Sequence, residues 1–205
     1  MKLKRIFAAL LCGAYLLSSS ALALENPYVD VTGEEWFAEA ALEMTELGAM
    51  TGVSGNEFGP YEPVTRATVV TVLWRLFGAP EANTEESFPD VEDTWYVTAA
   101  AWAKATGLAG GYEDGSFGGE DYITREQLAV FLYRYAALSG QSIASGALGL
   151  FTDADQISDW AADAVRHTVG AGILQGDEGW FHPQLTANRA TLAVTLQRML
   201  TPAAG

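Results

Sequence analysis

Cysteine is almost missing from this chain. The one copy among 205 residues, Cys12, sits in an N-terminal stretch that reads as a removable leader. Lys2, Lys4 and Arg5 precede an apolar run from Ile6 to Leu17, and the small residues Ala21 and Ala23 follow it, the layout of a secretory signal spanning residues 1–23 and cleaved near Ala23. Leu11, just before Cys12, is not the small residue that a lipoprotein site uses. Without residues 1–23 no thiol remains, which excludes a disulfide framework and a thiolate metal site and leaves an apolar core to supply stability. Long hydrophobic runs are also lacking: Ile6 to Leu17 falls short of the about 20 residues a membrane helix needs, and no later stretch approaches that length. The mature protein is expected to be exported, with no membrane span.

Positive charge is scarce too. Eleven Lys and Arg face 26 Asp and Glu, and loss of the leader leaves eight basic residues against 26 acidic ones, a formal charge of −18. Nucleic acid is excluded as a partner by that balance, and the acidity reads as solubility outside the cell. Apolar residues make up 49% of the chain and aromatics 11%, too much for a disordered polymer. Histidine is limited to His167 and His182, neither with a Cys partner, and the carboxylates form no recognisable catalytic motif. No enzyme is expected. The segment "YEDGSFGGED" lacks the alternating ligand register and terminal Glu of a calcium loop, so neither a metal nor a cofactor is expected.

What is present is a unit of about 60 residues repeated three times. Trp36, Trp95 and Trp160 are each followed by a Gly twelve residues on (Gly48, Gly107, Gly172) and another four beyond (Gly52, Gly111, Gly176). An aromatic follows at Phe58, Phe117 and Phe181, then an Arg eight further on at Arg66, Arg125 and Arg189. Upstream of each Trp stands an aromatic-x-Asp ending at Asp30, Asp90 and Asp153. The Ala-rich stretch from each Trp to the first Gly predicts one helix, stopped by that Gly. The Gly-, Pro- and Asp-rich stretch that follows predicts a loop. Thr65, Thr124 and Asn188 are N-caps for a second helix, and Gln127 completes a capping box with Thr124. Val69 and Leu73, Leu128 and Leu132, Leu192 and Leu196 form one buried stripe on that helix. A single such unit buries too little surface to be stable alone, so the fold class is mainly α, three helix-loop-helix repeats sharing a helical core. The repeats span 28–77, 88–138 and 151–201.

Six of the seven arginines beyond the leader occupy two columns of the repeat. Arg75, Arg134 and Arg198 stand near the end of the second helix, where the macrodipole favours a cation. Arg66, Arg125 and Arg189 stand at its start, where the dipole opposes one. Two accounts remain open for them. The guanidinium and the free N–H groups of the first turn build an anion site, or the Arg pairs with Asp30, Asp90 or Asp153. Trp36, Trp95 and Trp160 read as core residues, with presentation of a face to a sugar ring as the second reading.

These columns resemble the S-layer homology domain family: "FPDV" (88–91), Trp95, "GLAGGYEDGSF" (107–117) and "ITRE" (123–126) follow the family's pattern, and the resemblance runs from Tyr28 to about Thr201. The family's Glu after Thr-Arg-Ala is replaced by Thr68, Gln127 and Thr191, and the third copy has "TANR". The resemblance implies a pseudo-threefold assembly with polymer sites in grooves between repeats. It further implies non-covalent anchoring to the bacterial cell wall through an anionic, pyruvylated secondary cell wall polysaccharide attached to peptidoglycan. On that basis Arg66, Arg125 and Arg189 bind the carboxylate, and Asp30, Asp90, Asp153, Trp36, Trp95 and Trp160 join them in the grooves. The alternative is a protein-interaction or envelope-assembly module with envelope protein partners. Either reading places the protein outside the cell, at the wall or S-layer surface.

Overall fold

The computed structural model describes residues 25–201, so the leader lies outside the described residues. Six α-helices are formed among the described residues: α1 (Ala38–Glu46), α2 (Arg66–Leu76), α3 (Val97–Thr106), α4 (Arg125–Leu138), α5 (Asp159–Gly170) and α6 (Arg189–Leu200). Among the described residues the only β-type pairing is a set of isolated bridges. The helix ends follow from local chemistry. Thr65, Thr124 and Asn188 have extended backbone and each accept a hydrogen bond from the backbone N–H three residues on. Gln127 returns the bond to the Thr124 N–H at 3.1 Å, completing the capping box. Gly48, Gly107 and Gly172 stand just beyond α1, α3 and α5 with φ of 66°, 76° and 70°, the left-handed conformation that ends a helix.

The repeats do not close on themselves. Helix α2 of the first repeat packs on α3 of the second, α4 of the second on α5 of the third, and α6 of the third on α1 of the first. Each second helix therefore buries its stripe, including Val69 and Leu73, Leu128 and Leu132, Leu192 and Leu196, against a neighbour as well as its own loop. One continuous apolar core runs through all three repeats. At its centre the residues just before the second helices hydrogen-bond in a closed triangle. Val64 N–H donates to Ala187 C=O at 3.0 Å, Ala187 N–H to Ile123 C=O at 2.9 Å, and Ile123 N–H to Val64 C=O at 3.0 Å. This ring is the pseudo-threefold centre of the fold. It explains how short helix pairs make a stable body: each surface a repeat cannot bury is buried by the next. No helix among the described residues is long and apolar enough to cross a membrane.

Candidate functional site

The site begins with a buried Phe in each loop. Phe58, Phe117 and Phe181 are fully buried, each packed on the aromatic of its own aromatic-x-Asp at ring separations of 5.4, 5.1 and 5.5 Å. The Asp of the motif holds that Phe from behind. Asp30 accepts from the N–H groups of Phe58 and Gly59 at 2.7 and 2.8 Å, Asp90 from Phe117 and Gly118 at 2.7 and 2.8 Å, Asp153 from Phe181 and His182 at 2.8 and 2.7 Å. Burial pushes the Asp90 and Asp153 carboxyls up, but the donated N–H groups outweigh it and hold both below the ordinary carboxylate range.

The carbonyl of the same Phe receives an arginine from another repeat. Arg66 Nε donates to Phe117 C=O at 2.9 Å, Arg125 Nε to Phe181 C=O at 2.8 Å, and Arg189 Nε to Phe58 C=O at 2.7 Å. Each guanidinium also lies over that Phe ring, at 5.2, 5.1 and 4.7 Å from its centroid. The first-turn N–H groups are taken as well: Arg66 and Ala67 donate to Asp121 and Gly119, Arg125 and Glu126 to Leu185 and Pro183, Arg189 and Ala190 to Glu62 and Pro60. The helix starts are therefore filled by loop carbonyls, and the expectation of free N–H groups there is corrected. Nor does an Asp pair directly with these arginines: the Phe peptide stands between them, with Asp on its N–H side and Arg on its C=O side. Burial lowers the pKa of all three guanidinium groups, partly offset by nearby acids, and they remain charged.

Three grooves open between the repeats, and each draws on all three. The first, about 280 Å³, is walled by α2 and the Met50–Gly52 turn and holds Arg75, Arg189 and Trp95. The second, about 410 Å³, holds Arg134, Arg66 and Trp160. The third, about 440 Å³, holds Arg198, Arg125 and Trp36. All six column arginines thus line grooves, two to each. None has a carboxylate within 4 Å among the described residues, whose ion pairs are Arg166 and His167 with Asp163.

Family comparison decides what this architecture is. The S-layer homology domain matches residues 27–70, 87–129 and 150–193, most of the described chain. The chain belongs to the S-layer homology domain family. That membership makes it a cell-surface module. Among curated relatives, it is 28% identical to an endoglucanase of Bacillus sp. (strain KSM-635) over 85% of this chain and 19% of the enzyme. It is 27% identical to the Surface-layer 125 kDa protein of Lysinibacillus sphaericus over 94% of this chain and 16% of that protein. It is 29% identical to the Cellulosome-anchoring protein of Acetivibrio thermocellus over 74% of this chain and 35% of that one. The chain thus spans a minor part of each.

The S-layer homology repeats place the remaining residues as follows. Trp36, Trp95 and Trp160 are exposed at 62%, 64% and 59%, which overturns their reading as core. The next residue takes the core position: Phe37, Tyr96 and Ala161 are buried, and Trp36 and Trp95 stand edge-on to Phe37 and Tyr96 at 5.5 and 5.1 Å. Asp30, Asp90 and Asp153 line none of the three grooves; they hold the loop that the groove arginines grip. For Arg75, Arg134 and Arg198 the sequence favours the helix dipole as the reason. Arg134 has a full turn of α4 after it, so the dipole is not the shared reason. Arg75 Nη1 reaches Ala49 C=O at 3.2 Å and Arg134 Nη1 reaches Leu108 C=O at 3.1 Å, beyond the ends of α1 and α3, which aims these cations along the groove walls. Their recurrence at one spacing is the sequence signal for this shared placement. His167 rests on Tyr133 and His182 on Trp180, and neither lines an inter-repeat groove.

Proposed function

We propose that this chain is a non-enzymatic anchoring module that binds an anionic secondary cell wall polysaccharide in its three inter-repeat grooves, and so attaches without a covalent bond to the bacterial wall. The observation that carries the proposal is the gathering of six of eight mature basic residues, with no carboxylate partner among the described residues, into three grooves on a chain of strongly negative charge. Unpaired arginines in partly desolvated grooves are placed for a carboxylate, which a guanidinium holds bidentately. The exposed indole beside each pair suits the apolar face of a sugar ring. A pyruvate ketal on the sugar supplies the carboxylate this geometry wants.

The names of the relatives support the anchoring class. Two are a surface-layer protein and an anchoring protein, and the endoglucanase shares only 19% of its length with this chain. Three sites on one rigid body also raise the effective concentration of the second and third contacts, so each groove needs only modest affinity for its sugar.

The second-column arginines test the site without dismantling the loops that the first column grips. Mature protein carrying Arg75→Gln, Arg134→Gln and Arg198→Gln together is expected to keep its helical circular dichroism and lose binding to isolated wall polymer. Retention of binding by that variant would reject the groove reading and favour a module that recruits envelope proteins through its acidic surface.

A further inference from the structure

The third repeat carries an aromatic surface outside the grooves. Its loop from Gly176 to Phe181 is one residue shorter than the matching loops of the other repeats. It closes as a tight turn in which Glu178 and Gly179 both have positive φ, 46° and 84°, while Asp177 and Trp180 exchange backbone hydrogen bonds at 2.9 and 2.8 Å. The Gly179 C=O also takes the Thr152 N–H at 2.8 Å, which ties the turn to the start of the repeat. Trp180 stands where the other repeats have Glu57 and Ser116, and it is 40% exposed.

Two residues on, His182 departs from the pattern as well. Its φ is 57° at the position that Gly59 and Gly118 fill with φ of 68° and 64°. A Cβ added at either glycine would collide with Val53 or Tyr112. A non-glycine residue in this conformation is strained, and Asp153 holds it there by accepting the His182 N–H at 2.7 Å. The strained residue completes a flat surface: the His182 and Trp180 rings lie 14° from parallel with centroids 6.1 Å apart. These rings form one side of a cleft of about 420 Å³ that Gln156 and Gln184 also line. Glu126, only 2% exposed and reaching in from the second repeat, accepts from Gln184 Nε2 at 2.7 Å and from the Ser158 N–H and hydroxyl at 2.9 and 3.0 Å. The other repeats have Ala67 and Ala190 at that position. A buried carboxylate therefore fixes the Gln184 amide at the cleft.

We infer that this cleft is a second kind of glycan site, which takes an uncharged pyranose ring of a glycan strand. The apolar face of the sugar lies on the Trp180 and His182 rings, and its hydroxyls pair with the Gln156 and Gln184 amides. Among the described residues no Lys or Arg lines the cleft, which separates it from the arginine grooves and from anion capture. The inference stands apart from the groove reading.

The Trp180 indole reports the cleft. Mature protein labelled with nitrogen-15 in its indoles, with the Trp180 signal assigned from Trp180→Phe, is titrated with tetra-N-acetylchitotetraose and, separately, with isolated wall polymer stripped of ketal groups by mild acid. Trp180 is expected to shift and saturate at about millimolar sugar, the strength of one ring at ordinary ligand efficiency, while Trp36, Trp95 and Trp160 stay unmoved. A response to the tetramer assigns the cleft to peptidoglycan-type strands, and a response to the stripped polymer alone assigns it to the neutral sugars of that polymer. His182→Gly, the residue type of the other repeats, is expected to weaken the Trp180 response about two- to tenfold with a melting temperature unchanged or raised, since glycine suits this backbone. Gln184→Ala is expected to weaken it too, and the combined Arg75→Gln, Arg134→Gln, Arg198→Gln variant to keep it in full. No Trp180 response to either probe, a uniform shift of all exposed indoles, or a response indifferent to His182→Gly and Gln184→Ala overturns the inference and leaves the groove reading standing. Loss of the response in the arginine variant overturns it as well, by making the cleft part of the grooves.

Discussion

Removing the Arg189 side chain should cut the link that closes the third repeat onto the first. In Arg189→Ala the hydrogen bonds from Nε to Phe58 C=O at 2.7 Å and from Nη2 to Thr51 C=O are lost. Hydrogen bonds to a charged group contribute about 1.5–3 kcal/mol each. The Phe58 carbonyl is left without this donor beside a fully buried ring, which adds to the loss, while removal of the partly buried guanidinium returns part of its desolvation cost. The balance is a loss of about 3 kcal/mol. For a body of this size each kcal/mol moves the melting temperature by about 2–4 °C, so the expected drop is about 6–12 °C. Urea unfolding followed by far-ultraviolet circular dichroism measures the free energy directly, and thermal melts give the second readout. Arg125→Ala, which also loses two carbonyl contacts, should match it, and Arg66→Ala, which loses one, should cost less. The control is Arg166→Ala, which breaks only an exposed surface pair at 3.4 Å and is expected within about 0.5 kcal/mol of wild type. If Arg189→Ala and Arg166→Ala are equally stable, the argument that the helix-start arginines lock neighbouring repeats together is wrong.

The exposed tryptophans should separate function from folding: Trp95→Ala is expected to change stability by less than about 0.5 kcal/mol, as surface changes do, yet weaken polymer binding severalfold by isothermal titration. The pH dependence has a definite sign. Asp90 and Asp153 are held below the unfolded value of about 3.9, so their stabilisation is fully present above about pH 5 and is lost as pH falls through 4 toward their folded values. Urea midpoints between pH 3 and 6 should show that decline, and Asp153→Asn should flatten part of it. Salt should act in an unusual direction. The chain repels an anionic polymer at long range, so the association rate measured by stopped flow is expected to rise from low salt to about 0.15 M as that repulsion is screened. A steep fall would instead point to steering by the arginines.

Much of this molecule is legible in the sequence because its signals are local. The N-caps Thr65, Thr124 and Asn188, the left-handed glycines Gly48, Gly107 and Gly172, and the spacing of the repeat are each written within a few residues of where they act. The swapped packing is not, since an apolar stripe says that a helix is buried and not which helix buries it. That gap explains the errors. Trp36 and Trp95 are large aromatic side chains of the kind that fill cores, but Phe37 and Tyr96 beside them turn inward and take the space. Asp30, Asp90 and Asp153 belong to the same motif as the grooves, yet their role is to hold the Phe peptide that an arginine from a distant repeat grips. Arg75, Arg134 and Arg198 become groove residues only when a neighbouring repeat supplies the opposite wall with its tryptophan.

Cosedimentation of the mature protein with purified wall sacculi, before and after mild acid hydrolysis of ketal-linked groups, tests the central claim most directly. The account predicts strong pelleting with intact sacculi and a loss of most of it after the acid treatment, because the carboxylate that the groove arginines hold has been removed. Pelleting unchanged by the treatment would contradict capture of a ketal carboxylate, and no pelleting with intact sacculi would contradict wall anchoring itself.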